Sequence, residues 1–163
     1  VRAFRELQAH RPRARMVWVG DGPMRAALAR DNPDFIFCGI QRGAQLARHF
    51  ASADLFVFPS LSETFGNVTL EAMASGIATV AFDYGAAREH LRAGIHGARV
   101  AGEDDFIQAV VDIGCDDDLR AAMGRRARSA VAGLHPDKVA ADFDRLLHDI
   151  ATWEHVHGTV ATA

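Results

Sequence analysis

The sequence predicts an open, mostly parallel α/β sheet covered by helices on both faces. Three observations carry that prediction. Short apolar runs at Met16–Val19, Phe35–Cys38, Leu55–Phe58, Ala78–Phe82 and Ala98–Val100 read as strands, most of them apolar at consecutive positions, as buried parallel strands are. Turn residues follow each run, and a segment with helical spacing follows most of the turns. The stretch Pro59–Gly76 joins a strand end, a polar loop and a helix N-terminus, the arrangement in which open α/β sheets hold ligands.

Taken in order, residues 1–10 form an amphipathic helix through Val1, Phe4 and Leu7, broken by His10-Arg11-Pro12-Arg13. The strand Met16–Val19 ends in Gly20-Asp21-Gly22-Pro23, with Pro23 suited to the first turn of a helix from Met24 to about Arg30. Such a glycine loop between strand and helix suits a phosphate or a sugar. Phe35–Cys38 leads through Gly39-Ile40-Gln41-Arg42-Gly43 into a helix over about 44–51. Pro59 ends the Leu55–Phe58 strand because it cannot donate to a ladder. Asn67 is expected to cap the next helix, whose stripe is Val68, Leu70, Ala72 and Met73, and Gly76 to stop it in a left-handed turn. Ala78–Phe82 ends at Asp83-Tyr84-Gly85-Ala86, and Gly94–Gly97 turns into the last short strand. Helices over about 104–113, 117–132 and 136–153 complete the chain, with Asp116, Asp117 and Asp118 as caps and dipole partners. Residues 1–153 are expected to form one domain, and 154–163 a loose tail.

Bulk properties narrow the function classes. With 49% apolar and 24% charged residues the chain resembles an ordinary globular domain, and a net charge of −3 gives no reason to expect nucleic acid. Two cysteines cannot make a disulfide framework, which points to a reducing, cytoplasmic compartment. No run approaches the roughly 18 apolar residues of a membrane span. No secretory signal opens the chain; Val1 is not a start methionine, and the opening reads as mid-helix, so the sequence is expected to be a piece of something longer. The eight histidines do not converge with carboxylates or cysteines on a metal or triad pattern.

Two carboxylates frame the central stretch. Glu63 lies in the loop and Glu71 about one turn into the helix. Between them Phe65-Gly66-Asn67 offers backbone N–H groups, with Gly66 allowing close approach and the helix N-terminus carrying about half a positive charge. Acid, amide cradle, acid is the order of parts that a sugar–diphosphate–ribose ligand would meet.

The run Ser62-Glu63-Thr64-Phe65-Gly66-Asn67-Val68, continued by Leu70-Glu71-Ala72-Met73-Ala74-Ser75-Gly76, resembles the E-x7-E signature of the retaining GT-B glycosyltransferases of family GT4. The resemblance extends from the first helix to about residue 153. It implies the donor-binding, C-terminal Rossmann-like domain of a bacterial enzyme with a UDP- or GDP-sugar as donor substrate, retention at the anomeric carbon, and neither metal nor other cofactor. It implies that Glu63, Phe65, Gly66 and Asn67 hold the donor sugar and act at the reacting centre. It assigns Val68, Gly20, Gly22 and Arg42 to the diphosphate, Glu71 to the ribose, and Gly39, Ile40 and Gln41 to the nucleobase. Relatives carry a Gly-Gly pair where this chain has Gly85-Ala86, which puts a ligand contact at Ala86 in question. The acceptor would be bound by an N-terminal domain that this sequence does not contain, and the isolated chain is expected to be inactive. The resemblance also leaves room for peripheral membrane association of the parent enzyme.

A second function class is a nucleotide-sugar-binding or assembly module that keeps the fold without catalysis. A dinucleotide-dependent dehydrogenase trails both, because no G-x-G-x-x-G follows a first strand. The resemblance further implies that the strand opening this domain, with its Arg…Lys loop, is missing. In the order 3-2-1-4-5-6 that strand lies at the centre. The strands Met16–Val19 and Leu55–Phe58 are therefore expected to carry unpaired edges, filled by the omitted strand or by self-association.

Overall fold

The computed structural model describes residues 1–157 and divides the chain into two compact units, Val1–Val131 and Ala132–Ala163. The first unit holds helix α1 (Arg2–His10), strand β1 (Val17–Val19), α2 (Arg25–Asp31), β2 (Ile36–Gly39), α3 (Gly43–Ser52), β3 (Leu55–Phe58) and α4 (Asn67–Ala74). It continues with β4 (Ala78–Phe82), α5 (Gly85–His90), β5 (Gly97–Val100), α6 (Glu103–Cys115) and α7 (Asp117–Val131). The second unit holds α8 (Pro136–His157), which runs past the expected end at residue 153. The rest of the expected tail, 158–163, lies outside the described residues.

All strand pairs are parallel, and they form two sheets rather than one. β1 pairs with β2, and β3, β4 and β5 pair in that order. β1 and β3 share no ladder, so each carries one open edge, as the sequence leads one to expect. The parallel ladders β1-β2 and β3-β4-β5 are thus interrupted, with no hydrogen-bonded pairing from one to the other.

The interruption decides which strands are buried. β4 has a neighbour on each side, and Ala78, Thr79, Val80 and Ala81 are all buried. β1 and β2 were expected to be buried, but Val17 is 45% and Ile36 46% exposed. In a two-stranded sheet both strands are edges, and apolar sequence alone cannot supply the covering layer. β3 is intermediate throughout.

Helices cover both faces of the three-stranded sheet. Ala78 and Val80 pack with Leu7 of α1, Phe106, Val110 and Ile113 of α6, and Met123 of α7. The alternate residue Ala81 packs with Met73 of α4, Ala87 of α5, and Ala127 and Val131 of α7. That division follows from the period-2 alternation of a strand. α1 also reaches the segment that leads into β2: Phe4 meets Phe35 edge-on at 5.2 Å, and Arg5 forks onto Asp34 through two bonds of 2.6 and 2.8 Å. The fork holds the Asp34 carboxyl down at about 2. The expected α7 cap is present, with Asp116 Oδ1 accepting from the Leu119 amide at 2.8 Å.

Candidate functional site

Because every pairing is parallel, the loops after β1, β2, β3 and β4 all leave from carboxyl ends of strands. The loop after β3 carries the framed carboxylates. Glu63 is half-buried, and its Oε1 accepts a 2.8 Å hydrogen bond from the Ser60 hydroxyl. One carboxylate oxygen is thereby fixed by the protein, and the other carries no bond among the described residues.

The start of α4 differs from expectation in a way that matters. The capping position belongs to Gly66, at φ 88, and Asn67 is the first helical residue; no side chain caps the helix. The chain must turn through the left-handed region to enter the helix, which costs a side-chain-bearing residue and not glycine. The consequence is a bare N-terminus. The first bond into the helix runs from the Thr69 amide to the Gly66 carbonyl at 3.0 Å, and the amides of Phe65, Gly66, Asn67 and Val68 donate to nothing among the described residues. A row of unspent N–H groups at the positive end of a helix dipole is a ready anion site.

Glu71 shares the exposed face of α4 with Asn67, four residues before it, while Thr69, Ala72 and Met73 are buried on the opposite side. Its carboxylate forms no hydrogen bond or ion pair among the described residues. The far end of α4 is closed by a Schellman arrangement: Gly76, at φ 78, donates to the Met73 carbonyl at 2.9 Å, and Ile77 donates to Ala72 at 3.2 Å. α4 is thus locked at its C-terminus and open at its N-terminus.

The loops after β1 and β2 are joined by the Gly20 amide donating to the Gly39 carbonyl at 2.8 Å. Gly20, Asp21, Gly22 and Pro23 border a small cavity of about 140 Å³ with Trp18 and Met24. The Gly22 amide donates to the Asp21 carboxylate at 2.8 Å, so both glycine amides are already engaged. Pro23 precedes α2 rather than sitting in its first turn, because the helix begins at Arg25 with Met24 as its cap. In the β2 loop Gln41 spends its side-chain NH₂ on the Cys38 carbonyl at 2.6 Å, leaving its amide oxygen. Ile40 is 62% exposed. Arg42 is exposed at the start of α3, and its guanidinium has no acidic partner among the described residues.

Sequence reading missed two supports of the β3 loop. Ser60 orients Glu63; a serine three residues before the acid was the available signal. Helix α5 grips Phe65: the Ala86 amide donates to the Phe65 carbonyl at 2.6 Å, and the Phe65 ring meets His90 edge-on at 6.1 Å. Nothing local in the sequence ties residue 65 to residue 86. Among the described residues no group of His, Cys, Asp and Glu is placed to hold a metal ion, and no helix is long and apolar enough to cross a membrane.

Known proteins share this fold. Residues 1–116 match the family model described as Glycosyl transferases group 1. A GDP-mannose-dependent alpha-mannosyltransferase of Mycolicibacterium smegmatis is 44% identical over 81 residues, 50% of this chain and 22% of the relative. A D-inositol 3-phosphate glycosyltransferase of Nocardia farcinica is 34% identical over 151 residues, 82% of this chain and 33% of the relative. The crystal structure of the pneumococcal O-GlcNAc transferase GtfA, in complex with UDP and GlcNAc, superposes with a TM-score of 0.75 at 19% identity, over 92% of this chain and 32% of that one. The chain therefore spans a third or less of the length of these relatives.

Proposed function

This chain belongs to the glycosyl transferases group 1 family, and on that premise we propose that it is the donor-binding half of a retaining glycosyltransferase. It holds a nucleoside-diphosphate sugar while the remainder of the full-length protein presents the acceptor. The observation that carries this reading is the set of unspent amides at Phe65–Val68, framed by the carboxylates of Glu63 and Glu71.

Each part has a chemical task. The free oxygen of Glu63 accepts from donor-sugar hydroxyls, while Ser60 keeps its other oxygen oriented. The amides of Phe65, Gly66 and Asn67 face the sugar, and that of Val68 the diphosphate. As the sugar–oxygen bond breaks, negative charge grows on the leaving phosphate. A helix N-terminus, aided by Arg42, stabilises that charge without having to reorganise. This reading calls for no metal. Glu71 accepts from the ribose hydroxyls. Gly39, Ile40 and Gln41 meet the base through backbone groups and the remaining Gln41 oxygen. The engaged amides of Gly20 and Gly22 give that loop a shaping role beside the diphosphate.

The names of the relatives, one dependent on GDP-mannose and one solved with UDP, support a nucleotide-sugar donor. Calorimetric titration of the full-length protein with UDP-, GDP- and ADP-sugars tests the proposal. Saturable binding of one of these classes is expected. Binding of none of them would overturn it.

A further inference from the structure

We infer that the short helix α5, clamped from behind by Arg99, aims the amide cradle, and that Gly85, Ala86 and Arg99 are positioning residues for the bound donor. The inference rests on the donor-binding reading above.

One rigid peptide plane, between Phe65 and Gly66, sets the geometry. In a trans peptide the C=O and the following N–H point in opposite directions, and the plane does not flex. The Ala86 amide draws the Phe65 carbonyl towards α5 through a 2.6 Å hydrogen bond. The Gly66 N–H belongs to the same plane, so it is turned away from α5 and held there, free of any protein acceptor among the described residues. Without that tether, Gly66 has the freest backbone of any residue type, and its amide would swing.

The tether needs Gly85 to be a glycine. Its φ is +49, and a Cβ there would collide with the Phe65 carbonyl oxygen and lie 3.2 Å from its carbon. These are backbone atoms, which cannot rotate aside. Behind the tether, Arg99 on β5 donates to the Arg88 carbonyl in α5 and pairs with Asp83 at 3.2 Å. Arg88 closes the ring with its own 3.2 Å pair to Asp83 and a 2.6 Å bond to the Asp83 carbonyl. A six-residue helix has little stability of its own, so this ring gives α5 the fixed place that the tether requires. The Phe65 ring against His90 adds a second contact between α5 and the same loop.

The test compares Gly85→Ala, Arg99→Ala and Arg99→Lys in the full-length protein, with UDP-glucose and GDP-mannose as probes. Loss of one aimed hydrogen bond corresponds to about a tenfold weaker donor. Gly85→Ala is expected to reach that loss, Arg99→Ala to weaken binding less, and Arg99→Lys to recover part of it. Relaxation of the Gly66 amide in glycine-labelled protein is the readout that a purely structural role would leave still. It should become mobile in both Gly85→Ala and Arg99→Ala, and Arg99→Ala keeps the test open should Gly85→Ala fail to fold. If the parent protein binds no UDP-, GDP- or ADP-sugar, the donor-binding reading fails, and this inference with it. If the parent binds a probe and the variants bind it equally with an ordered Gly66 amide, the donor reading stands and this inference alone is overturned.

Discussion

Gly124→Ala should destabilise the domain although it replaces glycine by the best helix former. Gly124 is buried in α7 against the C-terminus of α4. A Cβ there would run into the Gly76 carbonyl oxygen and sit 2.9 Å from the Gly76 carbonyl carbon and 3.5 Å from the Ala78 amide nitrogen. All three are backbone atoms, and Gly76 is the left-handed residue that closes α4. Overpacking of this kind costs about 1–3 kcal/mol, and the gain in helix propensity returns at most about 1 kcal/mol. Because the clash is with backbone, the cost lies at the upper end of that range, and a net loss of about 2 kcal/mol lowers the melting temperature by about 4–8 °C for a domain of this size. Gly22→Ala is the control: nothing lies within 4 Å of its Cβ position and its φ is not positive, so stability should hold. Thermal unfolding of both variants decides the matter. An unchanged or raised midpoint for Gly124→Ala would show that α7 does not seat on Gly76 as described.

Two more outcomes follow. Asp34 titrates at about 2 in the fold because the Arg5 guanidinium bonds it, against about 4 in an unfolded chain. Its contribution is therefore complete above about pH 4 and disappears as pH falls towards 2, while the unfolded chain takes up the proton first. Asp34→Asn should flatten the pH dependence of urea unfolding in that window; an unaltered slope would remove the fork from the account. Gly66→Val has room for its Cβ, 3.7 Å from Glu63 Cγ, but not for its φ of +88. It should cost about 1–2 kcal/mol of stability and a larger share of donor affinity, read by calorimetry and melting on the same samples.

Most of the architecture was legible because alternating short apolar runs and helical segments have few folded solutions. Even the open edges of β1 and β3 could be read, since the expected strand order leaves these two strands without a common partner. Burial was not legible for β1 and β2. Val17 and Ile36 sit in apolar runs like those of β4, yet only β4 has neighbours on both edges. The helix start at residue 67 was placed correctly, but its cap was given to Asn67 by residue preference, whereas backbone direction demands Gly66. The two carboxylates stood out through their spacing. Their supports did not: Ser60 makes a contact any surface serine could make, and the grip of Gly85 and Ala86 on Phe65 depends on how β3 and β4 lie side by side. Pairwise contacts across parallel strands leave no periodic trace in sequence.

The most direct test of the central claim separates the two acids. Affinities of the full-length protein for a nucleoside diphosphate and for the matching nucleotide sugar are measured with Glu71→Ala and with Glu63→Ala. A hydrogen bond to a charged group is worth about 1.5–3 kcal/mol, or roughly tenfold and more in affinity. Glu71→Ala should lose that factor for both ligands, since both contain the ribose. Glu63→Ala should lose it for the nucleotide sugar and bind the diphosphate as the parent does. Equal losses on both ligands for Glu63→Ala, or unchanged binding for Glu71→Ala, would contradict the assignment of the two carboxylates.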